Sequence, residues 1–362
     1  MELPPREPPV RREPDSTTKV SVVFYRWDHS PFNVQGIRNA HQALSTYFGA
    51  TEGERVLFLE AATRTQSGAE KSKDFAREHG GYLNALIARD LKRENGRDPL
   101  PFAIARRKSE IETLGIEGAV ENKLIPIRSA MMYTMQQMFD ELGGDYPFRL
   151  EYETHEKSSA DKLASSAKEF HALSQQGYQA WEYGDFTQAV AYYKKADELS
   201  GQLANRDMEV VDPLKGQVKR LLKNPKGGVI FILLGAAHEP VIPAVQRKLG
   251  SNTPVTFEII GNNPSIEESV ALKARTGENL TEEEVARAAF AYHGINKVSE
   301  KLIAAGKTSP LMTRFQDISD SINSVAASLS IAEIETTCKG KKTQDVIINH
   351  PSAGIIRDVL AA

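Results

Sequence analysis

What most constrains this chain is a pair of strand–helix–strand patterns set far apart in sequence. In the first, the mostly apolar, β-branched run Val20-Ser21-Val22-Val23-Phe24-Tyr25 leads to a helical pattern from about Gln35 to Phe48, then to Arg55-Val56-Leu57-Phe58-Leu59-Glu60. In the second, Val229-Ile230-Phe231-Ile232-Leu233-Leu234 leads to a helical stretch from Pro240 to Leu249, then to Val255-Thr256-Phe257-Glu258-Ile259-Ile260. Short, continuous apolar runs bounded by turn residues read as buried strands. A strand, a helix and a second strand in close succession imply parallel pairing, with helices covering the sheet. The expected fold is α/β, with a small, mainly parallel sheet built from two distant βαβ units.

The intervening chain is mostly helical, from Ser67 to about Gly144 and from Lys157 to Lys223. Phe148 to Thr154 alternates apolar and polar residues, as a strand does. The expected organisation is a disordered arm at 1–19, the first half of the α/β core at 20–66, and a mainly helical insertion at 67–225. Residues 226–362 would supply the second half of the core and the C-terminal helices. Within the insertion, Gly177-Tyr178, Gly184-Asp185-Phe186, Ala189, Tyr193 and Ala196 match the spacing of a single tetratricopeptide-type hairpin at about 168–200. A lone repeat cannot bury its own faces, so it reads as a helical hairpin set in, or capping, the core. The last third is expected to be helical from Ile266 to Arg275, Thr281 to Ala305 and Pro310 to about Ala332. Asp345-Val346-Ile347-Ile348 is read as a final strand.

Composition removes several classes of function. Hydrophobic residues make up 40% of the chain and charged residues 26%, enough for a substantial core. The net charge of −3 lacks the basic excess of a nucleic-acid binder. The single cysteine, Cys338, forms neither an internal disulfide nor a cysteine-built zinc site. No apolar run has the length of a membrane span. Met1 to Lys19 carries five prolines and no apolar h-region, so it is not a secretory signal. A cytoplasmic protein that binds neither membrane nor nucleic acid is expected.

The Walker-type, dinucleotide and nucleophile-elbow glycine motifs are absent, so function has to rest on dispersed residues. The strongest local feature is Leu234-Gly235-Ala236-Ala237-His238-Glu239-Pro240. It places His238 after a central strand and before a helix, where α/β sheets bind ligands. Gly235 and Ala236 keep the turn small and leave room above it for a substrate. The first unit echoes this with Arg26-Trp27-Asp28-His29. Glu60 closes an apolar strand, which is costly unless the carboxylate is solvated, paired or used. Arg64 follows within reach of it, to pair with Glu60 or bind an anion. Adjacent parallel strands would bring His29 and Glu60 to one edge. His155, in Glu153-Thr154-His155-Glu156, is a weaker strand-end candidate. Two imidazoles and a carboxylate at one edge can hold a divalent cation. Without metal, a histidine or Glu60 can act as general base on a water. Asp28 and Glu239, beside the two histidines, can orient them.

Taken together, His29 after the first strand, Glu60-x-x-x-Arg64 after the second and Gly235-x-x-His238 after a later one resemble the erythromycin-esterase/ChaN-like superfamily, which includes the TraB and TIKI proteins. Arg26 stands where that family has its first-motif glycine. The resemblance implies a hydrolase-like site for an ester or peptide bond in a small-molecule or peptide substrate. Catalysis is expected of Glu60, His238 and Arg64, and substrate contacts of Gly235, Ala236 and Arg26. His29, His238 and Glu60 would be the ligands of a divalent metal such as Mn, Co or Zn. The alternative is a non-enzymatic scaffold with a degenerate site, whose helical insertion binds a protein partner.

Overall fold

The computed structural model describes residues 19–27, 30–59, 65–202 and 204–361. The apolar runs form a five-stranded sheet of β1 (Val20–Trp27), β2 (Glu54–Leu59), β3 (Arg149–Tyr152), β4 (Gly228–Gly235) and β5 (Val255–Gly261). The order is β3-β2-β4-β1-β5 and every pairing is parallel. All eight residues of β4 are buried, as expected of a central parallel strand covered on both faces.

The period-two alternation of the strands sorts their side chains into two cores. Val22, Phe24, Val56, Phe58, Ile230 and Ile232 face the helices Ala204–Lys223 and Val241–Leu249. Val23, Tyr25, Leu57, Leu59, Phe231 and Leu233 face the helices Val34–Ala50 and Ala130–Asp145. The stretch 67–225 therefore supplies β3 and helices on both faces of the sheet, in addition to its outlying helices.

This layering fixes a doubly wound path. From β1 to β2 to β3 the chain moves toward one side of the sheet, with its covering helices on one face. From β3 to β4 to β5 it moves back, with its covering helices on the other. All four crossovers thus share one hand. The chain leaving β4 goes to one face, while the chain leaving its neighbours β1 and β2 goes to the other. A crevice opens at such a point, outside the carboxyl ends of the strands.

Two further apolar cores lie among helices alone, one around Leu83, Ile87, Ile111 and Tyr133 and the other around the hairpin. Trp181, Phe186 and Val190 of the hairpin Lys157–Tyr183/Phe186–Gln202 pack with Phe290, Phe315 and Ile322 of the C-terminal helices Glu282–Ala304 and Phe315–Ser328. The hairpin turns at Gly184, whose φ of 80° is left-handed, and Asp185 caps the second helix by accepting from the Gln188 N–H at 3.1 Å. A Cβ at Gly177 would lie 3.0 Å from the Tyr193 ring, so the missing side chain lets the two helices approach. Among the described residues no helix is long and apolar enough to cross a membrane.

Two stretches differ from the sequence reading. Asp345 to Ile348 is helical, within Thr343–Asn349, and Ile347 is buried in the helical core. An apolar run this short carries no period, and packing against neighbouring helices decides its conformation. The pattern from Pro310 to Ala332 is broken into Thr308–Thr313, Phe315–Ser328 and a new helix, Ile331–Lys339, which starts on a Ser330/Glu333 capping box.

Candidate functional site

The carboxyl ends of the strands meet at one edge. Trp27 is in register with Gly235, Arg26 with Gly261, and Leu59 with Leu233. The three positions that the sequence singles out between these ends, His29, Glu60 and Arg64, lie outside the described residues. Gly235, Ala236, His238 and Arg26 are placed.

β4 runs directly into a 3₁₀ turn, Ala236–His238, followed by the helix Val241–Leu249. Ala236 and His238 are both buried, His238 at 3% exposure. Sequence reasoning expected open space above this turn. Instead the helix Ile266–Thr276, entered after β5, packs against it. His238 is therefore enclosed at the crevice between oppositely wound halves, under a helical cover.

Arg26, at the end of β1, is fixed by an ion pair from its Nε to Glu239 Oε2 at 2.7 Å, with both side chains about a quarter exposed. Glu239 follows His238 directly, so this pair ties β1 to the turn. Gly261 lets β5 end tightly against Arg26: its φ is +98°, and a Cβ there would lie 2.5 Å from the Arg26 carbonyl oxygen. Arg26 also lines a cleft with Trp27, Asn262, Asn263, Glu268 and Gln316. Its wall is ordered by a capping box between Ser265 and Glu268 and by a relay of amides. Asn262 Nδ2 donates to Gln316 Oε1 at 2.7 Å, and Gln316 Nε2 donates to Asp320 Oδ1 at 2.8 Å.

At the other end of the same edge lies a charged group that the sequence only hinted at. Glu153 and His155 follow β3, and both side chains are fully buried. His155 Nε2 is 3.1 Å from Glu153 Oε1, and its Nδ1 is 2.8 Å from Glu209 Oε2, on the helix Ala204–Lys223. A carboxylate oxygen thus lies within hydrogen-bond reach of each ring nitrogen, and the imidazole donates an N–H to at least one of them. The Glu153 N–H donates to the Leu59 carbonyl at 2.8 Å, and His155 bridges to Thr65. The pair thus grips the chain on both sides of residues 60–64. The signal in the sequence was the i, i+2 spacing of Glu153 and His155 at a strand end. Glu209 joins them only through the crossover to β4.

The metal ligands implied by the family resemblance are His29, Glu60 and His238, of which only His238 is placed. Among the described residues, no group of three or more His, Cys, Asp or Glu side chains could hold a metal ion. No family model matches the chain, and no curated protein or solved structure does. The resemblance therefore rests on its motif residues.

Proposed function

We propose that the carboxyl edge of the sheet is a hydrolytic site for an ester or peptide bond in a small-molecule or peptide substrate. The observation that carries this is the position of His238. It is buried in the turn after the central strand, at the switch point of a doubly wound sheet, the general ligand position of such folds. In this reading a neutral His238 takes a proton from the attacking water and returns it to the leaving group. Glu60 is the second acid–base group and Arg64 positions the acyl oxygen. Gly235 and Ala236 keep the turn compact beneath the helix Ile266–Thr276. Arg26, oriented by Glu239, binds the substrate in the adjoining cleft. In the alternative, metal-dependent form, His29, Glu60 and His238 would hold a divalent ion that would polarise the scissile carbonyl, and these side chains would then be ligands in place of proton carriers.

The test is hydrolysis of a p-nitrophenyl ester series and a peptide library by the purified protein, with and without Mn²⁺, Co²⁺ or Zn²⁺. The expected result is turnover that His238→Gln removes. No turnover under any of these conditions would sink the proposal. The scaffold reading draws on an apolar groove lined by Leu329, Ala332, Thr336, Thr337 and Val346, on the C-terminal helices beside the hairpin. It gains if hydrolysis is absent while the protein is fully folded.

A further inference from the structure

We infer that the corner joining the helices Tyr82–Asn95 and Pro101–Glu121 docks on an anionic lipid surface, with Leu100 and Phe102 entering the bilayer. The inference is independent of the hydrolytic reading, because the corner holds none of the candidate site residues. It also differs from the expectation of no membrane contact, which drew on the lack of a spanning segment. A surface contact needs no span.

The corner stands clear of the body of the protein. Every residue from Lys92 to Phe102 is exposed except Pro99, which is half-buried. Gly96 turns the chain at a left-handed φ of 69°. Pro99 and Pro101 then fix the backbone on both sides of Leu100, and Pro101 opens the second helix. The inner side of each helix is anchored. Leu91 is buried, Ile104 packs against the same core, and Arg107 donates to the Leu124 carbonyl at 2.7 Å. Leu100 and Phe102 are turned outward, 61% and 69% exposed. Among the described residues only Tyr183 is a more exposed large apolar side chain, and it carries a polar hydroxyl. Two such groups, two residues apart on a rigid turn, leave apolar surface in water that burial would remove.

The charge around them selects the surface that fits. From Arg89 to Lys108 seven Arg and Lys stand against three Asp and Glu, a local net of +4 in a chain whose total is −3. The three acids are already engaged. Asp98 pairs with Lys92 at 2.7 Å and Glu94 with Arg107 at 3.3 Å, while Asp90 lies between Arg89 and Arg93 at 3.5 and 3.6 Å. Arg97, three residues before Leu100, is exposed and has no ion-pair partner among the described residues. Arg106 and Lys108 reach Glu110 and Glu112 further along the helix, but surface pairs of this kind are weak and yield to other anions. A bilayer with anionic headgroups offers both halves of the match: hydrocarbon for Leu100 and Phe102, and phosphates for Lys92, Arg93, Arg97 and Arg106. A nucleic acid would use the charge but gives the aliphatic Leu100 nothing to stack on. A two-fold contact between copies would set the positive corner against itself.

The probe is co-sedimentation of the full chain with vesicles of phosphatidylcholine, alone or mixed with about one third phosphatidylglycerol. Binding is expected to the mixed vesicles only, and high salt should weaken it. Leu100→Ser combined with Phe102→Ser should weaken it at least about tenfold, given the apolar area withdrawn. The melting temperature should not change, because both side chains are exposed. Arg97→Glu should weaken binding as well. As a second measurement, the emission of Phe102→Trp should shift to the blue when mixed vesicles are added. Failure to bind mixed vesicles, or binding that survives the double serine change, overturns the assignment. So does an oligomer of the free protein that the double variant dissolves in analytical ultracentrifugation, because the corner is then an interface between copies. Binding to single-stranded RNA that is tighter than to mixed vesicles, and lost in the same double variant, would make the corner a nucleic-acid contact and the assignment equally wrong.

Discussion

At the scale of single residues, His238 carries packing, and in the proposed function it also carries the chemistry. At 3% exposure it cannot be removed without structural cost. His238→Gln is expected to lower the melting temperature by a few degrees, consistent with about 1–2 kcal/mol for a disturbed buried polar group. Hydrolysis measured well below that temperature should fall on the order of 10²–10⁴-fold if the ring is the acid–base group. A melting shift with turnover intact would make it a structural turn residue. Asp197, on the second hairpin helix, gives a separate prediction with a definite sign. Burial, helped by the neighbouring Glu198 charge, pushes its carboxyl up to about 7 from the ordinary value of 3.8. The folded state thus holds its proton where the unfolded chain has lost it. The resulting stability is fully present below pH 3.8 and is lost as the pH rises through 7. Asp197→Asn should therefore melt above the wild type at pH 8 and level with it at pH 3.5. A constant difference across that range would contradict the assignment. The sequence made His238 legible because its strand, small turn and helix are contiguous. The Glu153–His155–Glu209 group was legible only in part, because its third member lies 54 residues from His155 in sequence and is brought in by tertiary packing.

At the scale of elements, legibility followed periodicity. β1, β2, β4 and β5 announce themselves as apolar runs because both sheet faces are covered. The hairpin announces itself through small residues at fixed spacing. Thr343–Asn349 did not, because four apolar-rich residues fit a buried helix as well as a strand. Nor did the cover over His238. The helix Ile266–Thr276 is plain in the sequence, but its docking on the turn depends on where β5 leaves it. That helix also lies against the hairpin. A Cβ at Gly201 would sit 2.6 Å from the Ala274 carbonyl oxygen, and Arg275 Nε reaches Ser200 Oγ at 3.4 Å. The hairpin interface itself depends on Gly177. Gly177→Val would drive a branched side chain into the Tyr193 ring, and overpacking of this kind costs about 1–3 kcal/mol. Thermal melts should show the loss, and Gly177→Ala should cost less because only its Cβ meets the ring. Equal melting temperatures for all three proteins would mean that the helices are not packed there as described.

At the scale of the molecule, the sheet core and the helical core around Trp181 are threaded by one chain that finishes neither in a single pass. The chain builds β1 to β3, leaves for the helical core through the hairpin, returns through Ala204–Lys223 to complete the sheet, and leaves again after β5. Neither core can form from one continuous segment, and the hairpin cannot detach without pulling on both β3 and the Ala204–Lys223 helix. Contacts also cross between the cores. Phe32, which precedes the helix Val34–Ala50, packs with its ring tilted against Phe315 of the helical core, centroids 6.2 Å apart. Such interleaving predicts one cooperative transition rather than two domain meltings. The two tryptophans make this measurable, because Trp27 belongs to the sheet core and Trp181 to the helical core, where its Nε1 donates to Thr343 Oγ1 at 2.9 Å. In urea, fluorescence of the single-tryptophan variants Trp27→Phe and Trp181→Phe should follow the far-ultraviolet circular dichroism of the same protein, each variant giving coincident transitions by both probes. Two separated midpoints within one variant, with the fluorescence of one core changing before the bulk of the helix is lost, would show that the cores unfold independently despite their shared threading.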